Sequence, residues 1–176
     1  MNNYLLSSLR MCALFACLTG CDSSKRSATQ ERSPATQRVT LAGLNLELSG
    51  RPQKTEFGMG EATLNIISQD SYVLQNDSTQ FGITRMVHRT MDDGLEDNAR
   101  GIVEGQKTYS IVDGIVDGLP AKRITLELDL GGSTQHLSMV LFAKGTSLWQ
   151  VASIDPSMTL AHGKLDRLIP TIKVTE

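Results

Sequence analysis

Residues 124–143 read ITLELDLGGSTQHLSMVLFA. Ile124, Leu126, Leu128 and Leu130 alternate with Thr125, Glu127 and Asp129, the period of a strand with one buried face. Gly131-Gly132 follows, a pair free to take the positive φ angles of a two-residue hairpin turn. The chain then returns from about Thr134 to Ala143, with Leu137, Met139 and Leu141 on one face and Val140 and Phe142 on the other. This hairpin, the clearest element of the sequence, predicts antiparallel pairing.

Downstream, Lys144-Gly145-Thr146 turns the chain into a strand over residues 148–154. It carries Trp149, the only tryptophan, which reads as core, with a partner surface as the alternative. Asp155-Pro156 predicts a helix start, with Asp155 at the cap and Pro156 at the first position, where a missing N–H costs nothing. Met158, Ala161, Leu165, Leu168 and Ile169 form its apolar face, and Pro170 ends it.

Upstream, the apolar pattern begins near Val39, and Leu44, Leu46 and Leu48 alternate with Asn45, Glu47 and Ser49. Residues 64–68 and 70–75 read as two short strands, and 81–87 as a longer one with both faces partly covered. After Asp92-Asp93-Gly94 the period changes. Leu95, Ala99, Ile102, Val103 and Gln106 fall at helical spacing, with acids at the start and Lys107 at the end, as the helix dipole favours. Residues 108–112 return to strand character. The tandem repeat IVDGIVDG, residues 111–118, lacks the alternating oxygen ligands of a calcium loop. It reads as two Asp-Gly turns, or a bulge and a turn. The order is β-β-β-(β)-α-β-β-β-β-α, an α+β fold with a central, mostly antiparallel sheet flanked by helices.

The chain has 176 residues, 40% hydrophobic and 20% charged, a globular composition. A formal net charge of -2 offers no basic excess for nucleic acid. Cys12, Cys17 and Cys21 all precede residue 22. The apolar run MCALFACL, residues 11–18, is far shorter than the roughly 20 residues a spanning helix needs. It matches the apolar section of a signal peptide, about 7–15 residues.

Leu18-Thr19-Gly20-Cys21 ends that run and resembles a bacterial lipobox. Small side chains before the cysteine leave the Gly20–Cys21 bond open to a peptidase, and the Cys21 thiol is the expected acylation site. Each buried methylene contributes about 0.8 kcal/mol, so two or three chains anchor far better than one. Asp22 resembles the signal that keeps lipoproteins in the inner membrane of enterobacteria-like cells, so inner membrane is favoured over outer. Cleavage before Cys21 leaves no cysteine beyond the first residue of the mature body, hence no internal disulfide, thiolate metal site or cysteine nucleophile there. The stretch DSSKRSATQERSPATQ, residues 22–37, carries almost nothing that could pack and reads as a flexible tether, spanning roughly 20–25 Å. The expected organisation is a signal peptide over 1–20, lipidated cysteine and tether over 21–37, and one domain over 38–176.

Three stretches of that domain resemble the PsbP/Mog-like fold, particularly its DcrB-type members: VDGLPAKRITLEL (116–128), LFAKGTSLWQVASIDP (141–156) and the closing helix into LIPTIKV (168–174). The resemblance implies an α-β-α sandwich around an antiparallel sheet. It also implies a protein-binding or assembly role rather than catalysis, and it carries over no functional residue.

The side chains agree with that expectation. His88, His136 and His162 are never three or four residues apart, although strand-borne His88 and His136 could meet in the fold. Glu127 and Asp129 share a strand face like a paired-carboxylate site, but on an amphipathic strand they read as solvent-facing. The sequence has no G-x-S-x-G, and FGMGE (57–61) lacks the strand-loop-helix setting of a phosphate loop. The expectation is no enzyme, no cofactor and no metal. The expected partners are the membrane, through Cys21, and another envelope protein. The alternative is a small ligand or lipid in an apolar groove, suggested by apolar residues on both faces of 81–87 and 137–142. Cys21→Ser is expected to leave the domain folded and release it from membranes on fractionation. A variant that still pellets with membranes overturns the anchor.

Overall fold

The computed structural model describes residues 36–55, 65–76, 79–91, 94–129 and 132–175. Gly20, Cys21 and Asp22, most of the tether, the 57–61 stretch, Asp92, Asp93, Leu130 and Gly131 lie outside the described residues. A small sheet pairs β1 (Thr36–Leu41) with β2 (Leu44–Ser49) and β2 with β10 (Lys173–Val174). A larger one contains β3 (Gln53–Thr55), β4 (Ile66–Asn76), β5 (Thr79–His88), β6 (Tyr109–Val116), β7 (Leu119–Asp129), β8 (Thr134–Lys144) and β9 (Ser147–Asp155). Its order is β3-β4-β5-β9-β8-β7-β6, antiparallel throughout. The helices are α1 (Leu95–Val103) and α2 (Met158–Leu168), the latter running into a 3-10 turn, Ile169–Thr171.

Successive strand residues face opposite ways, so the large sheet has two cores. On one face Phe142, Trp149 and Val151 meet Leu44, Leu46 and Leu48 of the small sheet and Leu165 and Leu168 of α2. On the other, Ile124, Leu126, Met139, Leu141 and Ala152 meet Ala99 and Val103 of α1. β9 lies between these layers at the middle of the strand order, and all nine of its residues are buried. Neighbouring residues of β7 hold the two outer layers. Lys122 reaches Glu96 of α1, and Arg123 reaches Asp166 of α2.

Trp149 joins the small sheet to the large one. Its ring stacks on Phe142, the residue opposite on β8, with centroids 5.6 Å apart and planes 13° apart. The Arg85 guanidinium carbon, on the opposite residue of β5, lies 5.7 Å from the ring centroid, at cation–π distance. The indole N–H donates to the Ala42 carbonyl at 2.7 Å. Ala42 and Gly43 form the two-residue turn between β1 and β2, with φ of 52° and 75°. The first of these is an unusual angle for alanine.

The α+β class expected from the sequence, a mostly antiparallel sheet flanked by helices, is the one observed. Several local expectations are corrected. The two short strands over 64–68 and 70–75 are one strand, β4, with a register shift between Ile66 and Ser68. Polar Asp70 does not break it, because it sits near the open side of the sheet and pairs with Lys54 of β3. α1 stops at Val103, not Gln106, because Gly105 takes φ 80° and the Gln106 N–H closes back on the Val103 carbonyl. The first Asp-Gly of the repeat lies within β6, and only Asp117-Gly118 is a turn. Asp155 does not cap α2. Ser157 holds the cap position, while Asp155 ends β9 and is buried against Lys164. β1 begins at Thr36, two residues ahead of the expected domain start.

Trp149→Phe removes ring volume from the core and leaves the Ala42 carbonyl without its partner. A loss of about 2–4 kcal/mol is expected in urea unfolding followed by circular dichroism. A loss under about 1 kcal/mol would show that the indole does not hold the two sheets together.

Candidate functional site

The large sheet ends in two contrasting edges among the described residues. β3 is three residues long, with Gln53 and Lys54 exposed and Lys54 Nζ 2.9 Å from the Asp70 carboxylate. Short, charged edge strands discourage pairing with other chains. β6 is eight residues long and contains neither lysine nor proline. It exposes Tyr109 (53%), Val112 (52%) and Ile115 (71%).

The backbone of that edge has a definite phase. β6 and β7 meet at the Asp117-Gly118 turn, with φ of 49° and 79°, which closes on the Val116–Leu119 pair. In a two-residue hairpin the closing pair exchanges hydrogen bonds, and bonded pairs recur at every second residue. The Glu127 N–H donates to the Thr108 carbonyl at 3.3 Å, in the same phase. Val116, Gly114, Val112 and Ser110 therefore turn their peptide groups toward β7. Tyr109, Ile111, Asp113 and Ile115 turn theirs outward, where no described strand meets them.

Charges brace the strand from behind. Lys122 of β7 pairs with Asp113 at 2.7 Å and with Glu96 of α1. The Asp113 hydrogen bond, then that of Glu96, raises the Lys122 pKa, while Lys122 and then Arg100 lower that of Glu96. At the turn, Asp117 accepts from Lys173 Nζ and from the Val174 N–H, both at 2.9 Å, and so ties β10 to the hairpin. The Lys173 hydrogen bond, followed by that of Val174, lowers its pKa.

A second polar region lies under the start of α2. Ser138 and Ser153 face each other across β8 and β9 and are fully buried. Arg123 Nη2 is 3.5 Å from the Ser138 oxygen, and the Ser153 oxygen has no hydrogen-bond partner. Asp155 Oδ2 accepts from Lys164 at 2.8 Å. His162 Nε2 and His136 Nδ1 are buried without hydrogen-bond partners, and burial, then the Arg123 charge, lowers the His162 pKa. Nucleophilic catalysis needs a hydroxyl hydrogen-bonded to a base, and Ser138 meets a cation instead. These contacts seat α2 on the sheet.

His88 and His136 do not meet. His88 is at the sheet end near Thr146, whereas His136 lies opposite Asp155 at the other end. No group of three or more potential metal ligands occurs among the described residues. Glu127 and Asp129 are exposed. Glu127 is 3.9 Å from His136, and Asp129 accepts from the Gly132 N–H of its own turn. Trp149 is entirely buried. Leu137, Met139, Leu141, Val140 and Phe142, which suggested an apolar groove, are packed into the two cores. Sequence reading missed the β6 edge. The doubled Ile-Val of the repeat marks a strand with apolar residues on both faces, but not that this strand lies at an edge.

Taken together, the layers and the strand order define an antiparallel α+β domain with a helix on each face of its large sheet. No protein-family model and no curated protein matches the chain. Solved structures do. Cyanobacterial PsbP from Synechocystis matches with a TM-score of 0.54 at 11% identity, over 86% of this chain and 98% of that one. A protein of Bacteroides thetaiotaomicron matches with a TM-score of 0.50 at 11% identity, over 82% of this chain. This chain spans 50% of that protein's length. LpqN, involved in cell envelope biogenesis of Mycobacterium tuberculosis, matches with a TM-score of 0.42 at 8% identity, over 93% of this chain and 96% of that one. At 11% identity, the likeness to the cyanobacterial and Bacteroides proteins is one of fold.

The lowered Asp117 pKa gives a pH-dependent prediction. Its carboxylate stabilises the fold above the unfolded pKa, and that contribution is lost as pH falls through the lower folded value. Asp117→Asn keeps an acceptor for Val174 and tolerates the positive φ. It is expected to lower the melting temperature modestly at pH 7, with the gap to the parent closing well below pH ~4. A gap unchanged by acidification would mean that the charge of Asp117 contributes nothing.

Proposed function

We propose that this protein is a non-catalytic, lipid-anchored periplasmic module that binds and assembles protein at the cell envelope, with β6 as its docking edge. The single observation that carries this reading is the contrast between the sheet's edges: β3 is short and charged, and β6 is long, apolar and, among the described residues, open. An open edge of this kind takes up an extended segment of another chain, the backbone supplying affinity and alternate side chains specificity. The segment that fits is apolar and uncharged, since Tyr109, Val112 and Ile115 are the side chains offered.

The anchor rests on the sequence. Leu18 to Cys21 forms the lipobox, and Asp22 favours retention in the inner membrane. The tether lets the domain reach a partner roughly 20 Å from the bilayer. No described helix is long and apolar enough to cross a membrane. Of the residues behind the small-ligand alternative, Leu137, Met139, Val140, Leu141 and Phe142 pack into the two cores, whereas Phe81 and Met86 are only partly buried.

The test places a photo-reactive amino acid at Val112, or at Lys54 on the opposite edge, in the full-length chain in living cells. A covalent protein adduct from position 112 and none from 54 is expected. No adduct at 112, or equal adducts at both positions, overturns the docking edge.

A further inference from the structure

We infer that the resting occupant of β6 is a second copy of this chain, paired antiparallel about a two-fold axis at Val112. The inference rests on the reading of β6 as a docking edge and names the partner that this edge fits.

Symmetry limits the choices. A two-fold axis perpendicular to a sheet keeps each face on its own side, so opposed residues must point to the same face. The position numbers of opposed residues are then both odd or both even, and one residue faces its own copy. Centring on Val112 sets Tyr109 opposite Ile115 and Ile111 opposite Asp113, each pair formed twice. These four residues are the ones whose N–H and C=O groups point outward. Every outward peptide group between Tyr109 and Ile115 then acquires a partner. Centring on Ile111 or Asp113 strands one end of the strand.

The side chains agree with the backbone. On the α1 face, Tyr109 lies against Ile115 of the partner copy, covering the two most exposed apolar residues of the strand. On the α2 face Val112 meets its own copy, flanked by Ser110 opposite Gly114. Asp113 is the only charge on the strand. It opposes Ile111 rather than another acid and is already paired with Lys122. Like charges, which would discourage pairing, do not meet. One strand edge is smaller than a standard interface of about 1,600 Å². Anchoring both copies to one bilayer raises their effective concentration and compensates for this.

The register gives a sharp experiment. Val112 would face its copy in a non-hydrogen-bonded pair, with Cα atoms about 4.5 Å apart, within disulfide range. Full-length, processed Val112→Cys protein is expected to form a disulfide-linked dimer under mild oxidation in membranes, while the parent does not. Ile115→Cys is expected to stay unlinked, because its copy lies six positions along the strand. Tyr109→Cys combined with Ile115→Cys is expected to link again. In the same membranes, adding Ile115→Lys to Val112→Cys is expected to abolish the disulfide-linked dimer. Failure of Val112→Cys to link, or equal linking of Ile115→Cys, overturns the two-fold register. If Val112→Cys fails to link while the photo-reactive group at 112 captures a different protein, self-pairing fails and the docking edge stands. If position 112 captures nothing, both fall.

Discussion

The hydrogen bond from the Trp149 indole to the Ala42 carbonyl is the contact on which the two-sheet arrangement depends. It links residues 107 positions apart and brings the tip of the small sheet onto the central strand of the large one. A buried N–H without a partner costs about 1–3 kcal/mol, so the turn has to lie over the indole. That demand explains a left-handed alanine at a position where glycine or asparagine would be more comfortable. With the turn fixed, Leu44, Leu46 and Leu48 are placed against the sheet and become almost completely buried. Phe142 and Arg85 then hold the indole from its two flanks, along one row of opposed residues across β8, β9 and β5.

The same alternation organises the charges. Lys122 and Arg123 are neighbours in sequence and point to opposite faces, so each secures a different helix. Behind them the two cores share β9, which has no exposed face to give. A protein layered in this way presents few sheet surfaces to partners. Among the described residues, helices and the small sheet cover much of both faces, and β3 is shielded by its brevity and its charge. β6 is the long edge left over among those residues, and it is the surface on which a binding role can be argued from geometry rather than from the fold.

Much of the architecture was legible in the sequence because strand period and turn chemistry are local. The Ile124–Leu128 alternation, the glycine turn and the return through Met139 and Leu141 were readable without any partner strand. Local signals failed where two identical segments meet different fates. IVDG occurs twice, yet Asp113-Gly114 stays extended while Asp117-Gly118 turns. The residues on either side set the difference. The turn forms where both flanks can pair, and β7 begins at Leu119. Asp155 misled for a related reason. Beside a proline it has the chemistry of a helix cap, but its position at the end of a buried strand leaves Lys164 as its partner. The edge position of β6 was hidden by the same limit, since an apolar doublet reads alike in a central strand and in an edge strand.

The sequence by itself determined the α+β class, the hairpin from Ile124 to Ala143 and the helices near Leu95 and Met158. These come from side-chain period, turn residues and short motifs, each complete within a few residues of chain. Only the tertiary structure decided the strand order, the burial of β9, the meeting of Trp149 with Ala42 and the exposure of β6. Strand order is a non-local property. Whether Val112 is buried or open depends on whether another strand lies beside it, and no residue near Val112 carries that information.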